Sequence, residues 1–127
     1  MSYSNLNNKT ALIVEDDFTN NELIVFLLKK VKMTAIQAYS GAEAIKLLES
    51  HPEIDLILMD IKMPGMSGYE ATKKIKATRP NLPIIAQTAF TFPGDKEKAL
   101  SYGCTDFIRK PIQQTSLISM TKKYFEI

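Results

Sequence analysis

Short apolar runs alternate along the chain with segments whose apolar residues recur at helical spacing. The runs are rich in β-branched residues and have the length of strands. They lie at residues 11–14, 34–39, 56–59, 84–86 and 105–108. The segments between and after them predict helices at residues 19–31, 42–48, 69–77, 95–102 and 113–125. The pattern therefore predicts five successive strand–helix pairs.

Three of the predicted helices begin next to residues that suit a helix N-terminus. Ser40 and Ser67 are each followed three residues later by a glutamate, at Glu43 and Glu70. In such a capping box, the serine hydroxyl and the glutamate carboxylate each accept a hydrogen bond from a free backbone N–H group. Asp17 precedes the first helix, and we favour the same kind of capping role for it.

The alternation of strands and helices predicts a parallel sheet, because parallel strands need a crossover connection. The run at residues 56–59 is continuously apolar, which suits a strand covered by helices on both faces. We predict an α/β fold with a five-stranded parallel sheet flanked by five helices. A length of 127 residues fits a single domain. In open sheets of this kind, ligands bind beyond the carboxyl ends of the strands.

Composition and charge exclude several functional classes. A hydrophobic content of 45% allows a packed core, and a formal net charge of +2 is too small to indicate a dedicated nucleic-acid binder. Since the chain has neither an apolar stretch of about 20 residues nor a secretory signal, we expect no membrane contact and a cytoplasmic location. The single cysteine, Cys104, and the single histidine, His51, argue against a disulfide, a zinc cluster or a Ser/His/Asp hydrolase.

Polar residues follow the predicted strands. Glu15 and Asp16 come after the first strand, and Asp60 comes after the third. Thr88 and Lys110 come after the fourth and fifth strands. If the first and third strands are neighbours, the three carboxylates converge, and two such charges about 4 Å apart repel by about 4 kcal/mol at an effective dielectric constant near 20. A divalent cation would relieve this repulsion, and oxygen ligands alone favour Mg²⁺ or Mn²⁺.

The same edge of the sheet supplies groups that suit phosphoryl chemistry. The Lys110 ammonium can contact an anionic ligand, and the Thr88 hydroxyl can donate to a phosphoryl oxygen. A carboxylate such as that of Asp60 can act as a nucleophile and form an aspartyl-phosphate.

Four segments in order resemble the receiver domain of two-component response regulators. They are LIVEDD at residues 12–17, DLILMDIKMPGMSG at 55–68, IIAQTA at 84–89 and DFIRKP at 106–111. The resemblance covers the chain after Lys9, so we expect an N-terminal extension at residues 1–9 and a receiver domain at 10–127. It also implies the flavodoxin-like strand order 2-1-3-4-5.

The resemblance assigns roles to the acidic residues. Asp60 would accept a phosphoryl group from the phosphohistidine of a sensor histidine kinase or phosphotransfer domain. Glu15, Asp16 and Asp60 would hold Mg²⁺, and the backbone carbonyl of Lys62 would complete the protein ligands. The domain would thus phosphorylate itself rather than turn over a substrate as an enzyme does.

The resemblance also implies a switch. Thr88 and Lys110 would bind the phosphoryl oxygens, and Thr88 would move toward them on phosphorylation. Phe107 would then fill the space that Thr88 leaves, although it lacks the hydroxyl of the tyrosine that many members carry. The switched surface would comprise the fourth helix, the last strand and the fifth helix and would bind an unknown protein effector. Its candidate exposed aromatic residues are Phe90, Phe92, Tyr102 and Tyr124.

Alternatives from other classes remain. A D-x-D phosphatase is disfavoured because residue 62, two positions after Asp60, is a lysine rather than a second acid. A nucleotide-binding domain is also disfavoured, because neither the G-x-x-x-x-G-K-[ST] motif nor the G-x-G-x-x-G motif occurs in the sequence. A protein-binding module of the same fold that works without phosphorylation is a further alternative. Within the receiver family, residues 86–106 favour a receiver fused to a hybrid sensor histidine kinase over a free-standing regulator.

Overall fold

Five strands and five helices alternate along the part of the chain that the structure, a computed structural model, describes: residue 6, residues 8–89 and residues 93–125. The strands are β1 (Thr10–Val14), β2 (Thr34–Ala38), β3 (Leu56–Asp60), β4 (Ile84–Thr88) and β5 (Asp106–Arg109). The helices are α1 (Phe18–Lys30), α2 (Gly41–Ser50), α3 (Gly68–Thr78), α4 (Asp95–Ser101) and α5 (Gln114–Phe125). Each predicted element is present, with boundaries that differ by at most two residues.

The strands form one parallel sheet in the order β2-β1-β3-β4-β5. The predicted fold class and strand order are therefore confirmed. β1 lies between β2 and β3, and Val14 at its carboxyl end pairs with Met59. Because all five strands run the same way, the residues that follow them meet at one edge of the sheet.

The sheet buries a core on each face, because alternate strand residues point to opposite sides. On one face, Leu12, Ile57 and Ile84 pack with residues of α2, α3 and α4. On the other face, Ile13 and Leu58 pack with residues of α1 and α5. Leu6, within the segment predicted as an N-terminal extension, is fully buried in this second core. None of the described helices is both long and apolar enough to span a bilayer.

The predicted helix caps are present with one difference. Asp17 caps α1 by accepting a hydrogen bond from the Asn20 backbone N–H at 2.8 Å. The capping box at Ser67 is complete. At α2, Ser40 accepts from the backbone N–H of Glu43, but the Glu43 carboxylate accepts from the N–H of Tyr39 instead of Ser40. This second box is therefore shifted by one residue on its carboxylate side.

Candidate functional site

Three carboxylates meet where β1 and β3 end. Asp60 is the last residue of β3, and Glu15 and Asp16 follow β1 directly. One carboxylate oxygen from each of the three lies within 4.8 Å of the other two. Glu15 and Asp60 are only 1% and 3% exposed, whereas Asp16 is exposed to solvent. The predicted convergence of the carboxylates is therefore found, with two of them buried and the third open to solvent.

Lys110 joins two of these carboxylates. Its Nζ donates hydrogen bonds to Glu15 Oε1 at 2.9 Å and to Asp60 Oδ1 at 3.0 Å. Burial alone would lower the pKa of Lys110, but its hydrogen bonds to the two carboxylates and their charges raise it overall. The side chain therefore stays an ammonium and offsets part of the negative charge. It follows β5 and precedes Pro111, and the peptide bond between these two residues is cis.

The electrostatics of Asp60 indicate a group that needs more positive charge than the protein supplies. Burial raises the pKa of Asp60 to about 7; the hydrogen bond from Lys110 opposes this increase, and the neighbouring Glu15 adds to it. Such a carboxylate gains from binding either a proton or a metal ion. The side-chain atoms that could coordinate a metal ion here are all carboxylate oxygens, which are ligands that suit Mg²⁺. The described residues thus fit a magnesium site.

The side chain of Asn21 supports this site, and this role was not predicted from the sequence. Its buried side-chain Nδ2 donates to the backbone oxygens of Glu15 and Ala38, at 3.0 and 3.1 Å. Its Oδ1 accepts from Gln37 Nε2 at 2.9 Å. These bonds fix the chain just beyond β1 to the end of β2. The available signal was a polar residue on the apolar face of α1, three positions before Ile24.

We expect Asn21→Leu to lower the free energy of unfolding by about 2 kcal/mol, because it leaves buried backbone carbonyls with fewer donors. Chemical denaturation checks this value. The matched control is Asn20→Leu, since Asn20 is exposed and lies one position earlier in the same helix. We expect that change to stay within about 0.5 kcal/mol of the wild type. Equal losses for the two variants would contradict a specific role for Asn21.

Thr88 and Lys62 line a cleft where β3 and β4 end. Thr88 is the last residue of β4, and its backbone oxygen accepts from the Lys110 N–H at 2.9 Å. Lys62 is exposed in the loop between β3 and α3. Both residues line a cleft of about 860 Å³, which the stacked rings of Tyr69 and Tyr102 also line. The roles of the Thr88 hydroxyl and the Lys62 backbone carbonyl stay predictions.

Phe107 lies on β5, between the core and the α4 surface. The ring is half-buried and packs against the core that includes α4. The Lys96 ammonium of α4 lies 4.8 Å from its centroid, within the range of a cation–π contact. A movement of the Phe107 ring would therefore change its contact with Lys96 of α4.

The prediction of exposed aromatic residues on the surface formed by α4, β5 and α5 is correct only in part. Tyr102 is 38% exposed, but Tyr124 is half-buried, so the prediction for Tyr124 is wrong. Its hydroxyl donates to Asp106 Oδ2 at 2.8 Å, and burial together with this bond raises the pKa of Tyr124 to about 12. The Tyr124 hydroxyl thus joins α5 to β5. Phe90 and Phe92 lie outside the described residues.

Comparison with known proteins places the chain in a family. A sequence profile of the response regulator receiver domain matches residues 11–122. The chain belongs to this family. It is therefore a phosphoacceptor receiver domain of the two-component type.

Relatives of this receiver domain include a curated protein and solved structures. The polar-differentiation response regulator DivK of Brucella ovis is 41% identical over 119 residues, which cover 91% of this chain and 95% of DivK. The receiver domain of the sensor histidine kinase PA1611 from Pseudomonas aeruginosa is 30% identical, with a TM-score of 0.85 over 94% of this chain and 99% of that one. That structure has a magnesium ion coordinated in the active site cleft.

A further relative is the receiver domain of the Saccharomyces cerevisiae response regulator Ssk1, solved with the histidine phosphotransfer signalling protein Ypd1. It is 30% identical, with a TM-score of 0.85 over 94% of this chain and 90% of the other.

Proposed function

We propose that Asp60 accepts a phosphoryl group from a phosphohistidine on a sensor histidine kinase or a phosphotransfer domain. The observation that carries this proposal is the position of Asp60, buried among carboxylates and hydrogen-bonded to Lys110. One Asp60 oxygen forms the new P–O bond as the P–N bond breaks, and the released imidazole takes a proton. The Ypd1–Ssk1 complex supports this class of partner.

Glu15, Asp16 and Asp60 would hold Mg²⁺, together with the backbone carbonyl of Lys62. The cluster of carboxylate oxygens supports this assignment, as does the magnesium ion in the related PA1611 receiver. Mn²⁺ accepts the same kind of ligands. When bound, the metal ion supplies positive charge next to the oxygens of the transferred phosphoryl group.

Thr88 and Lys110 would bind the phosphoryl oxygens. The Lys110 ammonium already lies 3.0 Å from an Asp60 oxygen, so a small movement carries it to a phosphoryl group on that residue. Thr88 ends the neighbouring strand and faces the same cleft as the β3–α3 loop. Catalysis here consists of alignment and charge neutralisation, which is what phosphoryl transfer requires of a protein.

Incubation with the small phosphodonor acetyl phosphate tests this function. In the presence of Mg²⁺ we expect intact-mass analysis to find one added phosphoryl group per chain. With EDTA instead of Mg²⁺ we expect none, because the carboxylates would then repel the incoming phosphate. Circular dichroism of both samples controls for folding. If no adduct forms with Mg²⁺ while the fold is intact, a protein-binding module that works without phosphorylation becomes the better hypothesis.

We also propose that phosphorylation changes the surface formed by α4, β5 and α5. Thr88 would move toward the phosphoryl group, and Phe107 would turn into the space that it leaves. Since the Phe107 ring also contacts Lys96, this movement would alter the α4 surface that an effector binds.

Hydrogen exchange tests the switch. After treatment with acetyl phosphate and Mg²⁺, we expect altered amide exchange in α4, β5 and α5, because packing around Phe107 changes. We expect α2 to exchange at its original rate, since it lies at the other end of the sheet. Phosphorylated protein with unchanged exchange in all three elements would contradict the switch.

Two contexts are proposed for this receiver. The motif pattern favours a hybrid sensor histidine kinase, and the similarity to the PA1611 receiver supports that context. The match to DivK over 95% of DivK's length supports a free-standing regulator. We further propose that residues 10–127 form the receiver domain and residues 1–9 an extension of it, which the family match over residues 11–122 supports.

A further inference from the structure

Helix α1 carries most of the exposed apolar surface of the described residues. Among those residues, five large apolar side chains are exposed, and three of them lie on α1. Phe18 is 66% exposed, Phe26 is 55% exposed and Leu23 is 44% exposed. Phe18 also stacks on Tyr39, with the ring centroids 6.3 Å apart. Apolar side chains concentrated on one exposed element indicate a contact surface, whereas scattered ones do not.

Charged residues lie on both sides of Phe26 along this helix. Glu22 comes four residues before Phe26 and Lys30 four residues after it, so the three side chains form one stripe on α1. Lys29 comes seven residues, or two turns, after Glu22 and lies on the same face. All three charged residues are exposed. None of them takes part in an ion pair within the described part of the chain.

Contacts within the chain leave this stripe open to a second molecule. The Glu22 carboxylate accepts a hydrogen bond from Gln37 Nε2 at 2.6 Å, but Gln37 is neutral and does not offset the charge. The Lys30 ammonium lies 4.7 Å from the centroid of the Phe26 ring, yet more than half of Phe26 stays exposed. The helix macrodipole accounts for basic residues in the last turn, but not for Glu22 in the second turn.

The stripe is complementary to itself when two copies of α1 run antiparallel. A twofold axis near Phe26 places the two Phe26 rings side by side and brings Glu22 of each copy near Lys29 and Lys30 of the other. Such a contact buries an aromatic pair and forms two symmetric sets of ion pairs. In a parallel arrangement, Glu22 would face Glu22 and Lys30 would face Lys30, so like charges would repel. Charge complementarity therefore selects a second copy of this chain in the antiparallel orientation.

We propose that two copies of this chain associate through α1, with the helices antiparallel and Phe26 at the centre of the contact. A single pair of helices lies at the small end of specific interfaces, so the dimer forms with a dissociation constant on the order of 100 μM. The association does not require phosphorylation. It is therefore independent of the proposed function, and its test uses the unphosphorylated protein.

Sedimentation equilibrium over a range of protein concentrations tests the proposal. We expect the wild-type protein to shift from monomer toward dimer as its concentration rises. Phe26→Ser should raise the dissociation constant at least about tenfold, because the central aromatic pair is lost. Leu100→Ser is the matched control, since it removes an exposed apolar side chain from α4 instead of α1. We expect this control to associate as the wild type does.

Charge reversal tests the antiparallel pairing and separates it from a loss of folding. Glu22→Lys and the double variant Lys29→Glu/Lys30→Glu should each stay monomeric, because like charges then lie across the twofold axis. An equimolar mixture of the two should form a heterodimer about as readily as the wild type dimerises. The proposal is overturned if this mixture does not associate, or if Leu100→Ser weakens association as much as Phe26→Ser does. A wild type that stays monomeric up to about ten times the expected dissociation constant also overturns it and leaves the α1 face to a different protein.

Discussion

Asp60→Asn is expected to abolish phosphoryl incorporation from acetyl phosphate in the presence of Mg²⁺. The substitution replaces the proposed nucleophile, since an amide oxygen is far less nucleophilic than a carboxylate oxygen. It keeps an oxygen that can accept the Lys110 hydrogen bond, which measures 3.0 Å in the wild-type protein. Intact-mass analysis after a fixed incubation measures the effect. We expect wild-type protein to gain one phosphoryl group and the variant to gain none.

Asp55→Asn is the matched control, because it makes the same change next to the opposite end of β3. Asp55 Oδ2 accepts from the Thr10 N–H at 2.9 Å, far from the carboxylate cluster, and an asparagine can keep that bond. We expect this variant to be labelled to the same extent as the wild type. An adduct on Asp60→Asn that matches the wild-type adduct would show that another residue is the acceptor.

Thermal unfolding in metal-free buffer tests whether the Asp60→Asn variant is folded. Because burial raises the pKa of Asp60 from 3.8 to about 7, its ionisation opposes folding, and wild-type stability falls as the pH rises through this range. The neutral asparagine lacks this penalty. We therefore expect the variant to be at least as stable as the wild type at pH 8, so that lost labelling cannot be ascribed to lost structure.

The fold could be predicted because its main determinants are local. Apolar runs and helical spacing located the elements, and Ser67 marked the start of α3. The fourth strand was predicted two residues short, since Gln87 and Thr88 are polar. In the structure, Gln87 pairs with Asp60 and Thr88 pairs with Arg109, so pairing with neighbouring strands extends β4 beyond its apolar part.

The carboxylate cluster could also be predicted, because the order of the strands decides which strand ends meet. Contacts that depend on tertiary distances could not be predicted. The sequence does not show that Asn21 reaches the carbonyl of Glu15, or that the Tyr124 hydroxyl bonds to Asp106. Each of these features depends on side chains from separate elements that only the folded chain brings together.

Gly68→Ala is expected to lower the free energy of unfolding by about 3 kcal/mol, at the upper end of the usual cost of overpacking. Gly68 is the first residue of α3, and its N–H donates to the Ile61 oxygen at 3.0 Å. A Cβ at this position would collide with the backbone oxygen of Asp60 and would lie 2.8 Å from the Ile61 Cα. These atoms are backbone, so they cannot move aside as a flexible side chain could. Urea unfolding measures the loss.

Gly65→Ala separates this collision from the general cost of replacing a glycine. Gly65 lies in the loop before α3 with a φ angle of +75°, and a Cβ there would meet nothing within 4 Å. We expect a loss of only about 1 kcal/mol, from the left-handed backbone alone. We expect Gly65→Ala to incorporate a phosphoryl group from acetyl phosphate as the wild type does. Gly68→Ala should incorporate less, because relief of the collision displaces the Asp60 backbone. Equal stability and equal labelling of the two variants would show that the approach of α3 to Asp60 does not constrain the acceptor.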